Sequence, residues 1–431
     1  MNPDGSVNAA GLSQGLSLAP FRASRPHGSP EHIASLLCPP YDVIDAAQKA
    51  ELLRANPDNA VGVILPDPTP EGYRRAAQDL TRRVHDGLYA VDDAPALYVY
   101  EMSDGDQHTT RGLVGAVELR DPADGVVLPH ENTMAGPVAD RLELMTATDS
   151  DLEPIYLVYD GGGPASGVTR GVDSAEPLAQ ATTPDGITHR LWAVTDRDAH
   201  AAVSDDLAGR RALIADGHHR YATYRERQRR RRGIDGPGPW DRGLALLVDS
   251  TDYGPQVHAI HRVIPGLSFA DAVERLGGLG HAEMLDTARS SENPAPPPEA
   301  DGMRGFAVVV TDGGQTALLT DPDGTLRRAA QRPGDVPALS GLDVTVLHRG
   351  LIERAWGVVD DVDTVKYAHS VDEAIRDARD SGGIAVLLRA TPVAAVTAVA
   401  AAGARMPRKS TLFTPKPASG LLIRRLIDQD G

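Results

Sequence analysis

The stretch "LIADGHHRYATYRERQRRRR", Leu213 to Arg232, sets an acid, a glycine, two histidines and an arginine between a strand-like run and a helical one. The aliphatic "ALIA" leads into Asp216, which therefore stands at or just past the carboxyl end of a strand. Open α/β sheets hold anionic ligands at such ends. Gly217 permits a turn that other residues resist. The residues after it present unpaired backbone N–H groups and the positive end of a helix dipole, which together suit a phosphate. His218, His219 and Arg220 add side-chain donors, and Asp216 can orient a histidine, hold Mg²⁺ or accept a proton. The plainer alternative is Asp216 as a helix N-cap, a contribution of about 1 kcal/mol. A zinc site is a weaker alternative, because adjacent histidines on a helix point in different directions. His258 and His261 in "PQVHAIHRVI" read as one strand, where residues three apart face opposite sides.

A second cluster is "LPHENTMAGPVADRLELMTATDSDLEP", from Leu128. His130, Glu131 and Thr133 precede a Gly-Pro turn, and Asp140 and Arg141 are expected to open a helix. Glu131, on a loop between polar neighbours, suits a general base. The third cluster is "MPRKSTLFTPKPASG", where Lys409, Ser410, Thr411 and Lys416 offer cations and hydroxyls to a phosphate or a carboxylate. It lacks the glycine-rich run of a Walker loop. Lysine occurs only at Lys49, Lys366, Lys409 and Lys416, so two of the four fall in this segment. Tyr41 and Asp42, in the rigid turn "CPPYDVID", either line a pocket or merely end a strand. With His130, Thr133, Arg141, His261 and Arg262 they complete the candidate substrate-binding residues.

The elements that must position these groups are α/β, mixed α+β in character. Strand-like runs begin at Ala96, Gly112, Pro154, His189, Arg211 and Gly243, with helical stretches from Glu71 and His219. Beyond Gly305, "GFAVVVTD" and "QTALLTD" suggest a hairpin, and two helices flank the strand "IAVLLRA". Asp160–Gly186 and Ser290–Gly305 read as loops or linkers. The expected divisions are a disordered tail (1–17), an N-terminal α/β segment (18–110), a core with the HENT and DGHHR motifs (111–265), and a C-terminal α/β domain (266–431) whose MPRKST motif returns to the site.

Composition narrows the partners. A chain of 431 residues is long enough for more than one core. A net charge of −17 argues against a general nucleic-acid or anionic-membrane binder. No apolar run approaches the ~20 residues that span a bilayer. The single cysteine, Cys38, fits a reducing cytoplasm and is expected to be a small buried filler.

"PFRASRP", "PPYDV", "HENTMAGPVADRLELMTATDSDLEPIYLVY", "IADGHHRYATY", "IHRVI" and "MPRKSTLFTPKPASGL", in this order, resemble the prokaryotic domain-of-unknown-function family 1015, from about Pro20 to Leu426. The "DGHHR" turn is similar to that of the ParB/sulfiredoxin superfamily, which includes free-serine kinases. That resemblance implies a ParB/sulfiredoxin-like nucleotide-binding core with added N- and C-terminal α/β segments. It implies catalytic roles for Glu131 as base and for Asp216, which would also hold Mg²⁺. Gly217, His218, His219 and Arg220 would bind the phosphates of ATP or ADP, with Lys409, Ser410, Thr411 and Lys416 assigned there on their own chemistry. The implied function is transfer of a phosphoryl group to the hydroxyl of a small molecule, foremost free serine or a related hydroxy amino acid. A homodimer is compatible with this reading. The alternatives are a ParB-type nucleotide-binding regulator or NTPase and a metal-dependent hydrolase.

Overall fold

The computed structural model describes residues 15–105, 108–285, 294–297, 305–361 and 363–429. Most of the tail expected at 1–17 and most of the Ser290–Gly305 linker lie outside these residues. The chain divides into two compact units: residues 1–129, 133–255 and 415–431 form the first, and 130–132 with 256–414 form the second.

The first unit is built on a nine-stranded mixed sheet. Its path runs Val127–Leu128, Ala212–Asp216, Ile155–Tyr159, Arg242–Asp249, Thr109–Glu118, Leu97–Ser103, Thr188–Val194 and Ala179–Thr182, with Leu18–Ala19 pairing beside Thr109–Glu118. Arg242–Asp249 pairs parallel to Ile155–Tyr159, whereas Ala212–Asp216 pairs antiparallel to it. The central strands are buried along nearly their whole length, which explains their unbroken aliphatic runs. Leu113, Leu157, Ile214, Tyr221, Tyr224 and Leu247 pack together in the core. Helix Pro70–His85 begins at Thr69, whose side chain accepts from Gly72 N, and turns Tyr73, Ala76 and Leu80 inward.

The second unit holds a six-stranded antiparallel sheet in the order His281–Met284, Thr316–Thr320, Ala307–Thr311, Ile384–Leu387, His261–Ile264, Lys366–Ala368. The expected hairpin after Gly305 is present as Ala307–Thr311 against Thr316–Thr320. Helix Val371–Asp380 lays Ala374 and Ala378 on this sheet, in one cluster with Val263, Val309 and Leu387. Leu347–Ala355 is a π-helix, a rare form associated with functional sites. A separate pair, Gln256–His258 with Leu412–Thr414, completes the unit.

Three local expectations are corrected. Asp160–Gly186 is no plain linker: it contains helix Pro164–Arg170 and strand Ala179–Thr182. Ser166 Oγ donates to the Asp249 carboxylate at 2.5 Å, which pins that helix to the sheet. Asp140 and Arg141 do not open a helix but lie inside Ala135–Thr148, and Gly136-Pro137 falls in its first turn, where proline loses nothing. "PQVHAIHRVI" is two strands rather than one, since the Gln256–His258 and His261–Ile264 strands pair with different partners.

Candidate functional site

In the first unit the strand Ala212–Asp216 is buried up to Ala215, and Asp216 emerges at its end. The pairing register shifts between Ile214 and Asp216, an irregularity that re-aims the last side chain. Gly217 follows at φ 91° and serves as N-cap of the helix His218–Asp235, with no side-chain cap. Asp216 is therefore not the cap. Its carboxylate is instead held between two cations: Lys416 Nζ donates to Oδ1 at 2.6 Å, and the Arg220 guanidinium pairs with Oδ2. Burial works to raise the Asp216 carboxyl, but Lys416 and Arg220 outweigh it and hold it down at about 2. An acid held this low is a fixed negative charge and a poor proton acceptor at neutral pH.

Arg220 lies under the turn, 1% exposed, and also donates to the carbonyl of Pro154. It braces the loop more than it reaches outward. A Cβ on Gly217 would come 3.1 Å from the Arg220 guanidinium while forcing an L residue into a left-handed conformation. Gly217→Ala should therefore cost about 1–2 kcal/mol in stability, measurable by urea titration. His218 is buried. His219 Nε2 accepts from Met134 N at 3.0 Å, so the ring supports the start of helix Ala135–Thr148. The exposed Thr133 stands just before that start.

Glu153, which the sequence did not single out, sits beneath these residues. It is 4% exposed and accepts from Ser419 Oγ at 2.7 Å and from Tyr41 N at 3.1 Å. Burial raises its carboxyl despite the opposing charge of Arg220. The Tyr41 ring lies against the Arg141 guanidinium at 4.3 Å, and burial pushes its hydroxyl up to about 12. Arg141 is itself committed to Asp140 and to the Ile64 carbonyl, and Tyr73 holds Asp140 at 2.6 Å. Asp42 is exposed; its charge acts on Lys416 and Arg220. The structure thus brings together Asp216, Gly217, His218, Arg220 and Lys416, with Tyr41 and Asp42 nearby. No signal of composition or spacing marks Glu153; only its place before Pro154, ahead of a buried strand, hints at a constrained position.

In the second unit His130 is buried, its Nε2 3.0 Å from Thr411 Oγ1 and its carbonyl accepting from Met406 N. Glu131 is half-buried, and its charge acts on Arg262 and Tyr367. Ser410 Oγ donates to the Pro407 carbonyl at 2.5 Å. Lys409 is exposed and has φ 53°, a left-handed conformation rare for lysine. Lys409 and Lys416, close in sequence, belong to different units. His261 Nδ1 accepts from Leu388 N at 3.3 Å, and burial, aided by Arg262, lowers the imidazole to about 4. It is a neutral core histidine. Among the described residues no group of three His, Cys, Asp or Glu side chains is arranged to hold a metal ion. Among the same residues no helix is long and apolar enough to cross a membrane.

Residues 18–345 match the family described as "Protein of unknown function (DUF1015)". No curated protein matches the chain. Among solved structures, a free serine kinase mutant in complex with ADP is 15% identical, with a TM-score of 0.32, covering 68% of this chain and 89% of that one. SbnI with a C-terminal truncation, from Staphylococcus aureus, is 9% identical with a TM-score of 0.37, covering 74% and 89%. A conserved hypothetical protein from Pyrococcus furiosus is 15% identical with a TM-score of 0.31, covering 68% and 92%.

Proposed function

The chain belongs to the DUF1015 family, and from that premise we propose that it is a nucleotide-dependent kinase acting on the hydroxyl of a small molecule, foremost free serine or a related hydroxy amino acid. One observation carries the reading: the left-handed Gly217 turn opens an 18-residue helix directly behind a strand-end carboxylate paired with a lysine. The N–H groups at that helix start receive phosphate oxygens, with His218 and His219 beside them. Lys416 and Arg220 keep positive charge at the turn, so an acidic chain can still attract a polyphosphate locally. Phosphoryl transfer asks mainly for positioning and charge stabilisation, which this set of groups supplies.

The residue roles follow from this reading. Asp216 would hold the Mg²⁺ that accompanies ATP or ADP, exchanging a cation partner for it, and the metal would supply charge stabilisation to the phosphates. Glu131 takes the proton of the acceptor hydroxyl as its oxygen bonds to the terminal phosphorus and the phosphorus–oxygen bond to the nucleotide breaks. Lys409, Ser410 and Thr411 contribute to phosphate binding, and Tyr41, Asp42, His130, Thr133, Arg141, His261 and Arg262 to the acceptor side, directly or by holding its walls.

The test incubates the full chain with Mg²⁺, ATP or ADP and a panel of free hydroxy amino acids, with products identified by mass. A phosphorylated amino acid is expected. Glu131→Gln should lower turnover about 10²–10⁴-fold while nucleotide still binds. Asp216→Asn should weaken both nucleotide binding and turnover. A second reading, a nucleotide-binding regulator of the ParB type, is favoured by the engagement of both Asp216 oxygens with cations. Nucleotide binding without transfer to any acceptor would select it. Absence of both would end the phosphate reading.

A further inference from the structure

The second unit contains a buried cation and an anion held apart. Arg262 is 1% exposed and has no carboxylate at ion-pair distance among the described residues: its Nε donates to His348 Nε2 at 3.1 Å, and its terminal nitrogens donate to the carbonyls of Ile260 at 2.5 Å and Arg408 at 3.2 Å. A guanidinium carries five N–H groups, so capacity remains. On its other side His348 holds Asp360, with Nδ1 2.8 Å from Oδ2. Because Nε2 accepts from Arg262, the imidazole proton belongs on Nδ1, and His348 is a neutral spacer between guanidinium and carboxylate. Burial and the Arg262 charge both favour that neutral form. His348 is the second residue of the π-helix Leu347–Ala355.

Two further groups are unsatisfied at the same place. The Tyr367 hydroxyl and Asp360 Oδ1 are buried atoms with no hydrogen-bond partner among the described residues. The Tyr367 ring faces the Arg262 guanidinium at 4.9 Å. Arg408 comes only within 3.9 Å of Asp360 Oδ1, too far for a hydrogen bond. Buried polar atoms are ordinarily satisfied, so a cation with spare donors, a free hydroxyl and a free carboxylate oxygen in one cluster form a complementary template.

We propose that the second unit carries a binding site for the zwitterion of a free α-amino acid, with Arg262 and Tyr367 receiving the carboxylate and Asp360 receiving the ammonium. A direct Arg262–Asp360 pair would cancel both charges; the His348 spacer keeps each available to an opposite charge. Glu131, whose charge acts on Arg262 and Tyr367, lies on the same cluster, where a side-chain hydroxyl of the bound amino acid would meet it. The choice of a hydroxy amino acid rests on the kinase reading; the zwitterion site rests on the cluster alone.

The test is calorimetric titration of the full chain, without nucleotide, using L-serine, 3-hydroxypropionate (no ammonium) and ethanolamine (no carboxylate). Serine should bind more than about tenfold tighter than either truncated ligand, as expected for charged hydrogen bonds. Asp360→Asn should abolish the advantage of serine over 3-hydroxypropionate. Tyr367→Phe, which keeps the ring on Arg262, should weaken serine and 3-hydroxypropionate alike and leave ethanolamine unchanged. Equal binding of all three ligands, no heat from serine or any other hydroxy amino acid, or variants indistinguishable from the parent would each overturn the site. Serine binding with no phosphorylated product would remove the kinase reading and keep the site. Product formed with unchanged KM by both variants would remove the site and keep the kinase.

Discussion

Asp216→Asn should destabilise the first unit by about 3–5 kcal/mol at neutral pH, because it strands two buried cations at once. The side chains of Lys416 and Arg220 are 19% and 2% exposed, so water cannot take the place of the lost carboxylate. The effect carries a pH signature. The Asp216 carboxyl lies below its ordinary value, so its contribution is complete above about 4 and disappears as pH falls toward 2. The stability gap between parent and variant should narrow by about 2–3 kcal/mol as pH falls from 7 through 2, as read by urea denaturation. A gap independent of pH would mean that the asparagine acts through packing rather than charge.

The second large effect is expected at Asp151, which is fully buried between Arg227 at 2.5 Å and Arg424 at 2.9 Å and also accepts from Leu244 N at 3.1 Å. Asp151→Ala leaves two guanidinium groups, 4% and 3% exposed, facing one another without an anion. Arg227 Nε and Nη1 and Arg424 Nε have no hydrogen-bond partner among the described residues, so these guanidinium groups already carry unsatisfied donors. A loss of about 3–5 kcal/mol is expected. Replacing all three residues with apolar ones of similar volume should cost far less, since the expense lies in the uncompensated charge. Equal losses for the single and triple variants would refute this account.

Much of the frame was readable from the chain. Aliphatic runs such as "GLALLVD" have little choice but to be buried strands, and Asp216 and Gly217 fall at the strand end and turn that their types suggest. Other parts were hidden by tertiary context. "AQAT" looks like linker, yet it pairs along the edge of the sheet through backbone groups, which composition does not encode. The start of the Ala135 helix was misplaced because its support, His219, comes from another element. Arg220 looked like a ligand-facing donor, yet it is buried beneath its own turn. Lys416 and Lys409 looked like partners because they are close in sequence, whereas Lys416 is paired with a residue 200 positions away. The separation of Arg262 from Asp360 by His348 likewise depends on three elements that only the folded sheet brings together.

The return of residues 415–429 to the first unit sets a constraint on biosynthesis. Arg424 meets Asp151 across 273 positions and Ser419 meets Glu153 across 266, so neither buried acid has its full set of partners until the ribosome has passed both. The second unit, interposed at 256–414, is made in the interval. A nascent first unit must therefore wait through that synthesis with charged groups exposed to water, and contacts of such range fold slowly. Order of emergence, as much as final energy, then governs yield: a ribosome-stalled chain ending before residue 415 should remain protease-sensitive in its sheet, and release of the remaining residues should confer resistance.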